Sequence, residues 1–411
     1  MEIRPILSTL RRHKLTAILL TLQVAFTCAI VCNVAFMIFQ RVQRISITTG
    51  IAENELSMIQ VSGIGKDANP WARHQADLAA LRGIAGVTSV AAVDYSLPLN
   101  RSEADYGACP SKAALDRAMQ LNSIEGTSCM SPSVYDGSPG LVGTLGLDLV
   151  AGRDFLPDEF VQGNKDVAVA IISRALAQHW YPGQNALGKT MYVGNHTVRV
   201  VGIVGTLLSP GLGEPATRYY TMIWPQLPND ANVGYVLRSA PQGRRRVLDA
   251  ARVALLKADP SRIINPKRMQ TYSQIRAQYF QRDTTMIGLL LASALGLLFV
   301  TALGITGLAN FWVGQRTRSI GIRRAIGATR GDILRYFQTE NFLIVTGGVV
   351  LGVLLAIGLN LLLMKHYELP RLPLWYLPVG AVVLWLLGQL SVLAPALRAS
   401  NVPPVVATRS V

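Results

Sequence analysis

Apolar and polar positions along the chain fall into two regimes. Four stretches, 15–40, 286–313, 337–364 and 374–397, run almost without charge, and Glu340 is the one charged residue inside them. Each is long enough to cross a hydrocarbon layer of ~30 Å as a helix. Residues 41–285 instead show the short periodicities of a folded domain. Apolar runs rich in β-formers predict strands at 56–61, 87–93, 167–172, 219–223 and 233–237, and a hairpin over 191–204 folds at Gly194-Asn195. Helical spacing predicts helices over 71–81, 173–180 and 244–257. The predicted fold is an α-helical membrane protein with four transmembrane helices. A mixed α/β extracytoplasmic domain is inserted between helices 1 and 2.

Composition refines this division. Segment 100–165 is richer in Gly, Pro, Ser and Cys, which predicts a core of 41–99 and 216–285 interrupted by an inserted subdomain of about 100–215. Residues 41–57 and 272–285 are expected to prolong the first two spans as stalks. Only 15% of the chain is charged, against about a quarter in soluble proteins, and mean hydropathy is +0.32. A soluble enzyme is excluded. The first apolar stretch is longer than the ~7–15 residues of a signal-peptide core and no A-x-A site follows it, so it is expected to stay as a helix.

Charge predicts orientation. The net charge is +15, and the basic residues crowd the span ends: Arg4, Arg11, Arg12 and Lys14 before the first, and Arg316, Arg318, Arg323, Arg324, Arg330 and Arg335 between the second and third. Positive loops stay in the cytoplasm. That places 1–14, 314–336 and 398–411 inside, with 41–285 and the short 365–373 loop outside. Basicity of this kind fits membrane lipids and no nucleic acid.

Candidate chemistry is sparse. Cys28 and Cys32 lie on one face of the first span and read as packing residues, whereas Cys109 and Cys129 fall in the exported domain, where a disulfide can form. Gly183-Gln-Asn-Ala-Leu-Gly188-Lys189-Thr190 matches the phosphate-loop pattern, yet the predicted order is helix, turn, strand, the reverse of what a phosphate cradle needs. His13, His74, His179, His196 and His366 form no zinc pair, and no G-x-S-x-G elbow occurs. Asp158-Glu159 reads as a solvated loop pair. Gly348, Gly352 and Ala356 repeat every four residues, a small-residue stripe for helix packing, and Gln23 and Asn33 are expected to face protein.

The most informative segment is 314–336. Wound as one helix, it sets Ile322, Ala325, Ile326 and Ile333 near one face and Arg316, Arg323, Arg324 and Arg330 over the other. Such a helix either lies on anionic lipid or docks a cytoplasmic protein. Its letters resemble the ABC-transporter permeases of the MacB/FtsX type, whose second and third spans are joined by a stretch like ERTREIGIRRALGATRxDI. Arg316-Thr-Arg318, Ile320-Gly-Ile-Arg-Arg-Ala325 and Gly327-Ala-Thr-Arg330 match it, with Asp332-Ile333 and Glu340 following; Gln315 replaces the leading acid. Further similarity lies at Leu145-Gly-Leu147, Ala151-Gly-Arg-Asp-Phe155, Trp180-Tyr-Pro-Gly183, Leu187-Gly-Lys189, Pro395-Ala-Leu-Arg398-Ala399 and Pro404-Val-Val-Ala407.

The resemblance implies a permease subunit of the bacterial inner membrane, not itself an enzyme, that binds no cofactor. ATP and Mg would be held by a partner, a cytoplasmic ABC ATPase dimer, since no Walker B or LSGGQ sequence is present. It further implies a second permease subunit, with a periplasmic adaptor and outer-membrane channel as further candidate partners. The coupling element would comprise Arg316, Arg318, Ile320, Gly321, Ile322, Arg323, Arg324, Ala325, Ile326, Gly327 and Arg330, with Ile320, Ile322 and Ile326 as apolar anchor, Gly321 and Gly327 permitting close approach or a bend, and Glu340 either an internal partner for an arginine or a carboxylate at the wet interface. Efflux or export from the periplasm or membrane is the function adopted. A non-transporting regulatory member, a lipoprotein-release permease and a membrane-anchored outside enzyme stay open beside it.

Overall fold

The computed structural model describes residues 14–401 except 64–68, 95, 101–104, 164, 229–230, 368–372 and 374–375. Arg4, Arg11 and Arg12, most of the 365–373 loop and the 404–407 motif lie outside the described residues. The chain divides into two units, a helix bundle from Met1–Ser46 and Arg282–Val411 and an α/β domain from Ile47–Gln281. In chain order the elements are α1 (Lys14–Ile45), β1 (Leu56–Ser62), α2 (Pro70–Arg82), β2 (Val87–Val93), β3 (Ala108–Cys109), α3 (Lys112–Leu121), β4 (Ser133–Asp136), α4 (Leu141–Leu145) and β5 (Leu149–Gly152). There follow β6 (Val161–Gln162), β7 (Val169–Ser173), α5 (Arg174–Trp180), β8 (Thr190–Val193), β9 (His196–Val204), β10 (Thr221–Trp224), β11 (Gln226–Leu227) and β12 (Val233–Ser239). The last are α6 (Arg244–Ala258), β13 (Ile263–Thr271), α7 (Tyr272–Tyr279), α8 (Gln281–Ala325), α9 (Arg330–Tyr367) and α10 (Tyr376–Ser400).

Helices α1, α8, α9 and α10 are each long and apolar enough to cross a membrane. Without water to reward apolar burial, such helices associate through close backbone approach and a few polar contacts. Every fourth residue of α1 from Leu20 to Phe36 belongs to one buried seam: Leu20, Val24, Cys28, Cys32 and Phe36. Opposite it runs the small-residue stripe of α9. A Cβ on Gly352 would come within 2.4 Å of Cys28 Cβ and 2.7 Å of the Ala25 carbonyl, and one on Gly380 of α10 would meet Cys32 Sγ at 2.3 Å. Ala356 is fully buried, and its carbonyl accepts from Asn33 Nδ2 at 3.4 Å. Helix α8 is held by polar groups: Thr27 and Thr301 hydroxyls lie 2.8 Å apart, Gln23 Nε2 donates to Val300 O (3.4 Å) and Thr306 donates to Ser391 O (3.0 Å). Its other side leaves Leu289, Leu295, Phe299 and Leu303 more than half exposed, a surface suited to lipid or to another helix. At the domain-side ends of α1 and α8, Arg41 Nη1 and Asp283 Oδ1 pair at 2.6 Å.

In the domain, an antiparallel sheet of order β13-β1-β12-β2 has both faces covered. Alternation along β1 sends Ile59 and Val61 beneath α2 and α6, in a core with Leu78, Leu81, Leu248 and Leu255. Leu56 and Met58 point the other way, to Tyr135, Leu145, Ile171 and Ile223. On the buried side of α2, Asp77 accepts from Tyr235 Oη at 2.6 Å and from Arg262, so the buried carboxylate has a neutral hydroxyl donor and one cation that offsets its charge. A mixed sheet of order β3-β8-β9-β7-β10-β4, with β5 on β9, forms the second layer. The layers join where Val93 bridges Gly137 and where Ser138 exchanges hydrogen bonds with Ala92 at 2.9 Å each way.

Three boundaries differ from the sequence reading. Segment 216–285 was expected to belong wholly to the core, but β10 pairs with β4 and β7 of the second sheet. Apolar runs carry no record of which sheet they join. The first span stops at Ile45 instead of continuing to residue 57, and the 272–285 stalk is two helices, α7 and the start of α8, meeting at Phe280. Glu53 explains the stop: its carboxylate takes Thr49 Oγ1 (2.5 Å) and Arg276 Nη1 (2.6 Å), turning 47–55 into a strapped turn.

Two tests follow from this packing. Gly352→Leu should lower the thermal stability of the purified chain by about 3 kcal/mol through overpacking at Cys28. Asp136, whose Oδ1 is buried without a hydrogen-bond partner, has its carboxyl pushed up to about 7, first by burial and then by Asp94. A folded value above the unfolded one means that the native state holds the extra proton, so this contribution to stability is present at low pH and lost as pH rises from about 4 to 7. Unfolding measured against pH should show that slope, and Asp136→Asn should flatten it and be more stable above pH 7 by on the order of 3 kcal/mol.

Candidate functional site

The residues singled out in 314–336 do not form one helix. Helix α8 runs on through Gly314 to Ala325 and then stops at Gly327, whose φ of +108° a side chain would strain. The Gly327 N–H donates to Arg324 O (3.2 Å) and the Ala328 N–H to Arg323 O (3.0 Å), the paired bonds of a glycine-terminated helix end. Two residues later Thr329 caps the start of α9. Asp332 Oδ2 accepts from the Thr329 N–H (3.0 Å) and hydroxyl (2.6 Å), while Thr329 Oγ1 accepts from the Asp332 N–H (3.2 Å). This reciprocal cap fixes a sharp helical hairpin. The single amphipathic helix is therefore corrected to two helices and a turn.

The break redistributes the side chains. Ile320 and Ile333 are each 4% exposed and join the bundle core, so Ile320 is not a free anchor. Gly321 is buried beside it. Ile322 and Ile326 are 47% and 81% exposed and project from the hairpin. Among the arginines, Arg318, Arg323, Arg330 and Arg335 are exposed. Arg316 turns inward and donates from Nη1 to Glu340 Oε2 at 2.7 Å, with its guanidinium 5.8 Å from the Trp312 ring centre. Arg323 lies over Tyr336 at 5.0 Å. Arg324 Nη1 donates to Ser400 O at 2.8 Å, at the C-terminal end of α10, where a helix dipole favours positive charge. A cleft of about 180 Å³ opens between the arms, lined by Arg316, Ser319, Arg323, Tyr336 and Phe337.

Ala325 ends α8 exposed. Trp312, Tyr336 and Ser400 were not selected from the sequence; nothing local marks an aromatic ring or a distant carbonyl as the seat of an arginine. The turn was readable, since Gly327 and Thr329-x-x-Asp332 are a helix stop and a helix start.

Elsewhere the sequence candidates have structural roles. Gly183–Thr190 links α5 to β8, with Gly183 and Gly188 at φ +71° and +76°, and Lys189 Nζ donates to Gln184 Oε1 at 3.1 Å. A phosphate cradle would need a helix after the loop. Cys109 and Cys129 are joined in a disulfide that ties β3 to the segment behind α3. Among the described residues no group of three His, Cys, Asp or Glu could hold a metal.

Known proteins align with both units. The MacB-like periplasmic core domain family matches residues 15–276, and the FtsX-like permease C-terminal family matches 291–404. An uncharacterized ABC transporter permease of Bacillus subtilis, YknZ, is 27% identical over 276 residues, covering 66% of this chain and 68% of that protein. The macrolide export ATP-binding/permease protein MacB of Sodalis glossinidius is 29% identical over 222 residues, 52% of this chain and 33% of its own length. The chain thus spans about a third of that relative. The crystal structure of the periplasmic region of MacB from Actinobacillus actinomycetemcomitans shares 12% identity at a TM-score of 0.33, covering 56% of this chain and 94% of that one.

Gly327→Val should disorder the hairpin because the β-branched residue resists φ above zero. Limited proteolysis should then cut at 325–330 several-fold faster than in the parent, with cleavage elsewhere unchanged.

Proposed function

We infer the function from one premise: the chain belongs to the MacB/FtsX-type ABC transporter permeases. It is the membrane subunit of an ATP-driven complex whose ATP- and Mg-binding ATPase is a separate cytoplasmic chain. The ATPase docks on the α8–α9 hairpin, nucleotide-driven motion enters the bundle there, and the α/β domain responds on the far side of the membrane. The substrate is taken from the periplasm or the outer leaflet and exported. A second permease subunit completes the complex, and the apolar outer side of α8 offers it a surface.

The observation that carries this reading is the exposed pair Ile322 and Ile326 among Arg318, Arg323 and Arg330 on a hairpin braced from within. Apolar anchors ringed by arginines are what a protein joint uses: the anchors bury, and the planar guanidinium groups take carboxylates on a partner. A surface-lying lipid helix would need one continuous apolar face, and the turn at Gly327 divides it.

The test is Ile326→Asp combined with Arg330→Glu, two exposed positions with no role in the bundle core. Recovery of the ATPase by co-purification should fall at least tenfold, while membrane insertion and thermal stability match the parent. Undiminished recovery would overturn the docking role and return the hairpin to a lipid contact.

A further inference from the structure

Glu340 and Arg316 lie 24 residues apart on opposite arms of the hairpin. Glu340 is 1% exposed, and the Arg316 side chain only 14%. Removing two charges from water costs free energy that their attraction returns only in good geometry, and an apolar pair of the same volume would stabilise the contact as well. A buried ion pair does something an apolar pair does not. Ile320, Ile333 and Phe337, which pack in the same core, could slide past one another and keep most of their contact. A slip of one helical turn between α8 and α9 would instead strand both charges inside.

The surroundings sharpen that choice. Glu340 Oε1 and Trp312 Nε1 are both buried and have no hydrogen-bond partner among the described residues. Arg316 lies over the Trp312 ring and supplies the salt bridge to Glu340. Among the described residues, Arg316 is the one cation within salt-bridge distance of the Glu340 carboxylate. The arginines nearer the turn are seated elsewhere, Arg323 on the face of Tyr336 and Arg324 on a backbone carbonyl.

We propose that the Arg316–Glu340 pair is a positioning lock that makes the α8–α9 hairpin move as one body with the bundle. Displacement of the turn is then passed into α8 and α9 and is not absorbed by bending of the hairpin. The lock deepens the docking reading and rests on it for its purpose, but it acts through residues that do not touch the ATPase.

Glu340→Gln keeps the volume and removes the charge. In the purified full chain, in lipid nanodiscs and without ATPase, hydrogen exchange across 316–335 should quicken at least tenfold, with exchange along the α1–α9 seam unchanged. The charge swap, Arg316→Glu with Glu340→Arg, should restore slow exchange. In the complex, the Glu340→Gln chain should still recover its ATPase but lose any exchange change that a non-hydrolysable ATP analogue induces at 272–283 in the parent. Unaltered exchange at the hairpin overturns the lock. A rise spread over the whole bundle also overturns it, by making the pair a general stabiliser, and so does loss of ATPase recovery in Glu340→Gln, by placing Glu340 in the docking surface. If the parent itself recovers no ATPase, the docking reading fails, and the exchange of the isolated chain still decides the lock.

Discussion

The domain's architecture depends on one constraint: a chain that leaves a bundle of helices at Ile45 and re-enters it at Gln281 must bring its own two ends together. Closure entropy grows only slowly with the length of such a segment, and here the domain's own pairing brings the ends together. Here the first strand and the last are neighbours, β1 and β13, antiparallel and in register with Ser57 opposite Thr271. The segments just outside them are strapped by Glu53 to Arg276 at 2.6 Å, and Arg276 also donates to Ile47 O at 2.7 Å. Within the bundle, Arg41 and Asp283 pair across the corresponding helix ends. The second sheet hangs on this frame as one long excursion between β2 and β12, which is why its seven strands can mix parallel and antiparallel pairing without disturbing the ends.

Inside the bundle a different rule governs. A polar group in hydrocarbon must find a partner in protein. Thr27 and Thr301, Asn33 and the Ala356 carbonyl, and Thr306 and the Ser391 carbonyl are such pairs, and each joins two helices. Glycine contacts set the distance between α1, α9 and α10, and the polar pairs set which helix turn faces which. Helix α8 has few of the former and depends on the latter. It is also the helix that continues into the hairpin, where Arg316 and Glu340 tie it to α9.

Much of this was legible in the sequence because the signals are local. Four apolar stretches mark four helices, period-two runs mark β1, β2 and β12, and Gly194-Asn195 marks the β8–β9 turn. The small-residue stripe on α9 was visible as a stripe, but the partner it meets, Val24 and Cys28 of α1, was not. The assignment of β10 to the second sheet, the seat of Arg323 on Tyr336 and the cap of Arg324 on Ser400 are all relations between distant residues, and no local pattern encodes them. At Gly327 the letters permit a close approach or a bend while the hydrophobic period continues across it, and the structure makes a full turn there.

The turn at Gly327 decides which way the apolar side chains face. Ile322, Ala325, Ile326 and Ile333 share a face only on an unbroken helix, and such a face would belong on a membrane surface. Once the chain turns at Gly327, Ile333 faces the bundle core while Ile322 and Ile326 face away from it. The same four residues thus divide, with Ile333 packed within the chain and Ile322 and Ile326 left exposed. In the proposed joint, the exposed face passes on force only if the packing beneath it is stiff. Apolar packing supplies adhesion there, and the buried charge pair supplies the register that adhesion alone leaves free to slip.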